Sequence, residues 1–214
     1  WSWFTATAAP PSIIRVIACS SASDIARIAC ASATPARSFP RQIGKLTPTY
    51  QAGADPDVLA IKWTLYRTNK DSPIVRLLKE AVEAGKLVTA IVEIKARFDE
   101  LANINWARKL EEVGAHVVYG VVGHKTHAKM LMVVRREDGK LRRYVHLGTG
   151  NYHPRTARFY TDFGLFTCNE KICADVNEVF GQLTSLGKSR ALNYLWQSPF
   201  SMHTEVLRAI RNET

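Results

Sequence analysis

His127 and Lys129 stand two apart in Gly123-His124-Lys125-Thr126-His127-Ala128-Lys129-Met130, which runs directly into Leu131-Met132-Val133-Val134. The apolar, partly β-branched run predicts a buried strand. Side chains two apart on a strand share a face, so the imidazole and the ammonium point the same way. Such a pair suits chemistry at phosphorus: a ring nitrogen attacks, and the lysine neutralises charge on the equatorial oxygens. The pattern is short, and a strand entering the core behind a polar start has the same spacing.

Other residues gather at comparable places. Arg67 and Arg97 fall just beyond two predicted strands, where open α/β sheets bind ligands. Guanidinium forks match phosphate oxygens bidentately, but a cation cannot ligate Mg²⁺, so any metal there is held through phosphate. Gly148-Thr149-Gly150-Asn151 is a small-residue loop whose N–H groups could approach phosphate. His146 lies on the strand expected to pair with that of His127 and faces the same way, whereas His124 and His153 read as loop residues. Tyr160 could stack on a base or donate to phosphate; as a lone aromatic it equally reads as core or rim packing. A zinc site from His124, His127, Cys168 and Cys173 matches no standard spacing.

The elements that must position these residues are legible from residue 54 onward. Val58 to Tyr66 reads as a strand, and Ser72-Pro73 opens a helix whose apolar residues recur to Val82, closed by Gly85. Leu87 to Ile94 is a second strand, Leu101 to Val113 a second helix and Val117 to Val122 a third strand. This alternation predicts parallel strands with right-handed crossovers. Asp138-Gly139 predicts a tight hairpin between the His127 strand and Leu141–Leu147. A strand over 162–167, a helix from Asn169 or Glu170 to Leu183, a linker over 188–200 and a helix from Met202 to Ile210 complete the chain.

Among 214 residues the formal charge is +10, with 46% apolar and 22% charged residues. That favours a polyanionic partner: nucleic acid, phosphate chains, nucleotides or an anionic membrane surface. Four separated cysteines (Cys19, Cys30, Cys168, Cys173) fit a reduced compartment better than a disulfide framework. No apolar run reaches the roughly 20 residues of a membrane span. Residues 1–51 form an atypical segment in which Asp24 is the only acid. It reads as a transit-like peptide, a disordered basic arm or, preferably, out-of-frame sequence. Residues 52–187 form the expected domain, and 188–214 a linker with the start of another.

These residues carry a resemblance. His127-x-Lys129 followed by Gly148-Thr149-Gly150-Asn151 resembles a half-site of the phospholipase D-like superfamily. Val134 stands where its nuclease and lipase members have an aspartate. Longer strings resemble type 1 polyphosphate kinase: Ala54 to Lys62, Thr64 to Arg67, Lys95 to Glu100, Ala102 to Ala107, Lys125 to Met130, His146 to Tyr152 and Tyr160 to Asp162. The match runs from about Ala54 to Leu186. The resemblance implies an α/β fold, a phospholipase D-like mixed sheet flanked by helices. It implies reversible transfer of the terminal phosphate of ATP to polyphosphate, yielding ADP, through a phosphohistidine at His127. Lys129 and Asn151 then hold phosphoryl oxygens, and His146 supports the site. Arg67 and Arg97 lie at the phosphate and Mg²⁺ region, with Mg²⁺ bound through phosphate, and Tyr160 lies at the nucleotide.

By the same resemblance the partners are ATP and polyphosphate, in a homo-oligomer when full length. The compartment is the cytoplasm, with peripheral membrane association and no specific nucleic acid. Full-length members are several times longer, with N-terminal domains and a second phospholipase D-like half bringing a further histidine and arginine. The chain therefore reads as a fragment or broken gene product with little turnover alone. Trp63 occupies a position usually polar in the family. The alternatives are a non-catalytic polyanion-binding module and a phospholipase D-like nuclease.

Overall fold

The computed structural model describes residues 13–18 (backbone), 52–66, 72–94, 100–121, 123–153, 156–185 and 190–213. Strands β1 to β9 span Ile13–Ala18, Val58–Leu65, Leu87–Val92, His116–Val118, Lys125–Thr126, Lys129–Glu137, Lys140–Gly148, Gly164–Thr167 and Leu195–Ser198. Helices α1 to α4 span Pro73–Glu83, Glu100–Glu112, Glu170–Thr184 and Met202–Asn212.

The principal sheet has six strands in the order β4-β3-β2-β6-β7-β8. β2, β3 and β4 are parallel, as the alternation with α1 and α2 predicts. β6 runs antiparallel to β2, and β7 and β8 continue as an antiparallel meander. The result is a mixed sheet. The hairpin between β6 and β7 turns at Asp138 (φ 49°) and Gly139 (φ 74°), both in the left-handed region that a tight two-residue turn requires. Helix α1 starts where Ser72 Oγ accepts from the Ile74 N–H at 3.3 Å, with Pro73 in its first turn.

β6 explains the core. Its run Met130-Leu131-Met132-Val133 is apolar at every position because both faces are covered. Leu131 and Val133 join Trp63, Leu65, Leu78, Trp106 and Leu110 beneath α1 and α2. Met130 and Met132 join Val145, Ile172, Val176 and Phe180 beneath α3. The strand expected over 117–122 is confined to His116–Val118, and residue 122 lies outside the described residues.

A second, three-stranded sheet has the order β5-β1-β9. β1 arises where the sequence shows no sustained period, and β9 arises within the stretch read as a linker. They pair antiparallel from Arg15–Ser198 to Ala18–Leu195. β9 is approached through Asp175, whose Oδ2 accepts from the N–H groups of Asn193 (2.9 Å), Tyr194 (2.6 Å) and Leu195 (3.0 Å). No described helix is long and apolar enough to cross a membrane.

Candidate active site

Two side chains of the main sheet pin the backbone around His127. Thr64 Oγ1, near the end of β2, donates to Ala128 O at 2.7 Å and accepts from the Met130 N–H at 2.9 Å. Glu93, just past β3 and only 2% exposed, accepts from the Thr126 N–H through Oε2 at 2.7 Å. The residues before and after His127 are thus fastened to the carboxyl ends of two neighbouring strands.

Within that frame His127 and Lys129 meet, although not on one strand as expected: His127 lies in the two-residue break between β5 and β6, and Lys129 opens β6. The Lys129 ammonium lies 2.9 Å from both ring nitrogens and donates to His127 O at 2.6 Å. Lys129 is 6% exposed, so its charge acts from a desolvated position, where it is worth more than in water. Tyr66 forms the wall. Its ring meets the imidazole edge to face at 4.9 Å between centroids and lies 5.2 Å from the Lys129 ammonium.

β6 and β7 bring His146 to the same face. Lys129 pairs with Gly148 and Leu131 with His146, so Lys129 and His146 are diagonal neighbours on one side of the ladder. His146 is 3% exposed. Its Nδ1 is 2.7 Å from the Tyr152 hydroxyl, and its ring packs 4.4 Å from that of Phe166. Burial pushes the Tyr152 phenol well above the usual tyrosine range, so it keeps its proton. That hydroxyl and Nδ1 form a buried pair in which one nitrogen of the ring is engaged. Trp63 supports Tyr152 edge-on at 5.0 Å.

The glycine loop is rigidified from below. Thr149 Oγ1 donates to Asp162 Oδ1 at 3.1 Å and accepts from the Phe163 N–H at 2.9 Å, while the Thr149 N–H donates to Phe163 O at 3.0 Å. A Cβ on Gly150 would collide with the Asp162 carboxylate, so only glycine fits. Asn151 follows, half-buried, with its Oδ1 shielded and without a hydrogen-bond partner among the described residues.

The remaining predicted residues divide. Arg67 and Arg97 lie outside the described residues. Tyr160 is 70% exposed on the segment before β8, and makes no hydrogen bond or ring contact among the described residues. Val134 packs against the apolar layer beneath α3. No three described His, Cys, Asp or Glu side chains gather where they could hold a metal. Sequence reasoning assigned no role to Thr64, Tyr66, Glu93, Tyr152 or Asp162. Thr64, Tyr66, Tyr152 and Asp162 lie inside the strings that carry the resemblance, which is the available signal; Glu93 lies outside them.

Comparison with known proteins agrees with this geometry. Residues 25–189 match the model of the family described as polyphosphate kinase C-terminal domain 1. The match begins ahead of the boundary near residue 52 that composition suggests. The chain is 64% identical over 167 residues to a polyphosphate kinase of Burkholderia multivorans, covering 76% of this chain and 24% of that protein. A polyphosphate kinase of Paraburkholderia phytofirmans is 62% identical over the same length. The crystal structure of polyphosphate kinase from Porphyromonas gingivalis superposes with a TM-score of 0.71 at 31% identity, covering 82% of this chain and 30% of that one. A phospholipase D family member, Nuc from Salmonella typhimurium, superposes with a TM-score of 0.50 at 15% identity and shares the fold alone. The chain spans about a quarter of the length of the curated relatives it matches. On sequence and fold together, the chain belongs to the polyphosphate kinase family and contains its C-terminal domain 1.

Proposed function

We propose that this domain carries phosphoryl transfer between ATP and polyphosphate, with His127 as the covalent carrier. The observation that supports it most is the buried Lys129 ammonium 2.9 Å from both imidazole nitrogens. A ring-nitrogen lone pair of His127 attacks the γ-phosphorus. The N–P bond forms, the bond to the bridging oxygen breaks, and ADP leaves. A terminal oxygen of polyphosphate then attacks the same phosphorus. The N–P bond breaks, and the polymer is one phosphate longer. Both steps balance without a further reactant, and both are reversible. The Lys129 ammonium beside the ring offsets the negative charge of the transferring group.

Arg67 and Arg97 hold the nucleotide phosphates with their Mg²⁺, Asn151 donates to phosphoryl oxygens, Tyr160 meets the nucleotide, and His146 supports the site. The positive balance draws the polyanion along the face, and also suits peripheral contact with an anionic membrane. A cytoplasmic homo-oligomer is the setting taken for the longer protein, with 52–187 as the catalytic unit.

Labelling with γ-phosphate-labelled ATP and Mg²⁺ tests the reading, on the chain alone and on the chain supplemented with the remaining regions of a full-length relative. Acid-labile, alkali-stable label that disappears in His127→Ala is expected, with little polyphosphate made by the chain alone. Absence of label in both arms from folded protein would overturn the kinase reading and leave a polyanion-binding module.

A further inference from the structure

We propose that Asn103 is a positioning residue for the His127–Lys129 pair, acting by tying together the carboxyl ends of β2 and β3. Asn103 lies on α2 and is 0% exposed. Its Nδ2 donates to Tyr66 O at 3.0 Å and to Glu93 O at 2.9 Å. Its Oδ1 accepts from Trp106 Nε1 at 3.1 Å, one helical turn further on. An indole nitrogen only donates, so the amide oxygen must face Trp106 and the amide NH₂ must face the two carbonyls. The network leaves one orientation of the side chain.

The location gives this bridge its consequence. The Glu93 N–H donates to Leu65 O at 3.2 Å. One residue further along β2, the Asn103 amide serves as the next rung and takes a carbonyl from each strand end. Each of those residues is a wall of the site. Tyr66 lays its ring against His127 and beneath the Lys129 ammonium. Glu93 receives the N–H of Thr126, the residue preceding His127. A single buried amide therefore sets the spacing between the ring that packs on His127 and the carboxylate that fixes its backbone. Arg67 and Arg97 leave from the same two strand ends in sequence. An apolar residue would serve α2 equally for packing among Trp106, Ala107 and Leu110; the two-donor edge is what it cannot replace.

The kinetic consequence rests on the phosphohistidine reading; the geometric one does not. Asn103→Asp keeps the shape and removes the paired donors, since even a protonated carboxyl donates one hydrogen bond and not two. Leu110→Ala, on the same helix and fully buried, serves as a control that loosens packing without touching the bridge. The first readout is the His127 ring ¹H–¹³C signal in the folded 214-residue chain. The second is the rate of phosphate transfer to His127 from ATP.

Asn103→Asp is expected to move the His127 signal and to slow transfer about tenfold or more, the scale of a sub-ångström to ångström misplacement. Leu110→Ala is expected to leave both unchanged while lowering the urea midpoint. Should Asn103→Asp fail to fold, Trp106→Phe carries the test, because it keeps the two-donor contacts and frees the amide to rotate; a smaller shift of the same signal is expected. A His127 signal that stays in place in a folded variant overturns the proposal, as does an equal displacement in Leu110→Ala. If the wild-type chain takes no phosphate even when supplemented with the remaining regions of a full-length relative, but the signal moves only in the Asn103 and Trp106 variants, the kinase reading fails and the positioning role stands.

Discussion

The two histidines of the site are held in opposite ways. His127 lies between two strands, and its ring is bounded by side chains that come from elsewhere, Tyr66 and Lys129. His146 is inside a strand, 3% exposed, with its Nδ1 against the Tyr152 hydroxyl and its ring packed on Phe166. Even the space for added atoms differs. A Cβ on Gly164 would come within 2.6 Å of His146 Nε2, and one on Gly148 within 3.0 Å of its Cε1. A ring that must form and break a bond to phosphorus needs a face that a ligand can reach. A ring that supports such a site gains from being locked. The contrast is the one expected of the proposed roles, carrier for His127 and support for His146.

Substitutions can break this contrast in graded steps. Lys129→Met removes the charge beside His127 and leaves the strand intact. Single-turnover transfer to His127 should fall about 100-fold or more, the usual loss when one preorganised charge is removed. Gly164→Ala attacks the other side by driving a methyl into His146. Urea denaturation should show a loss of about 1–3 kcal/mol from overpacking. Gly181→Ala on α3, where an added Cβ meets nothing, should instead stabilise by about 0.5–1 kcal/mol.

Tyr152→Phe leaves Nδ1 of His146 buried without its hydroxyl partner, and should cost about 1–3 kcal/mol in the same assay. The smallest effect is alkaline. Because burial raises the Tyr152 phenol in the folded protein, the contribution is fully present below the unfolded tyrosine value of about 10 and is lost as pH rises beyond it. The urea midpoint of the wild type should therefore fall more between pH 9 and pH 11 than that of Tyr152→Phe, and an equal fall would show that the phenol does not report on the His146 side.

Legibility in the sequence tracked locality. β2, β3 and β6 to β8, with the helices between them, announce themselves through period-2 or period-3.6 patterns, a Ser-Pro start and an Asp-Gly turn. β1 and β9 do not, because their order comes from pairing between the two ends of the chain. The triple acceptance by Asp175 likewise depends on a loop far along the chain. In the site, the expected single strand through His127 and Lys129 is interrupted: His127 lies in the break between β5 and β6, and the two side chains meet because the Lys129 ammonium folds back onto the ring. His146 was readable in direction only. Its lock by Tyr152 requires a loop to fold back, which spacing cannot show. Asn103 was hidden for another reason: a polar residue in an amphipathic helix reads as solvent-facing until both strand ends are seen to converge on it. Arg67 and Arg97 remain assigned by resemblance, since they lie outside the described residues.

Chemical phosphorylation with phosphoramidate tests the contrast most directly, because this small donor needs no nucleotide site. The folded chain would be treated, and each histidine's phosphate content followed by mass spectrometry and ³¹P NMR. His203, exposed on α4, serves as the internal standard for an unhindered imidazole. The account predicts phosphate on His127 and on His203, with none on His146. Phosphate on His146, or a bare His127 beside a labelled His203, would contradict the assignment of His127 as the carrier.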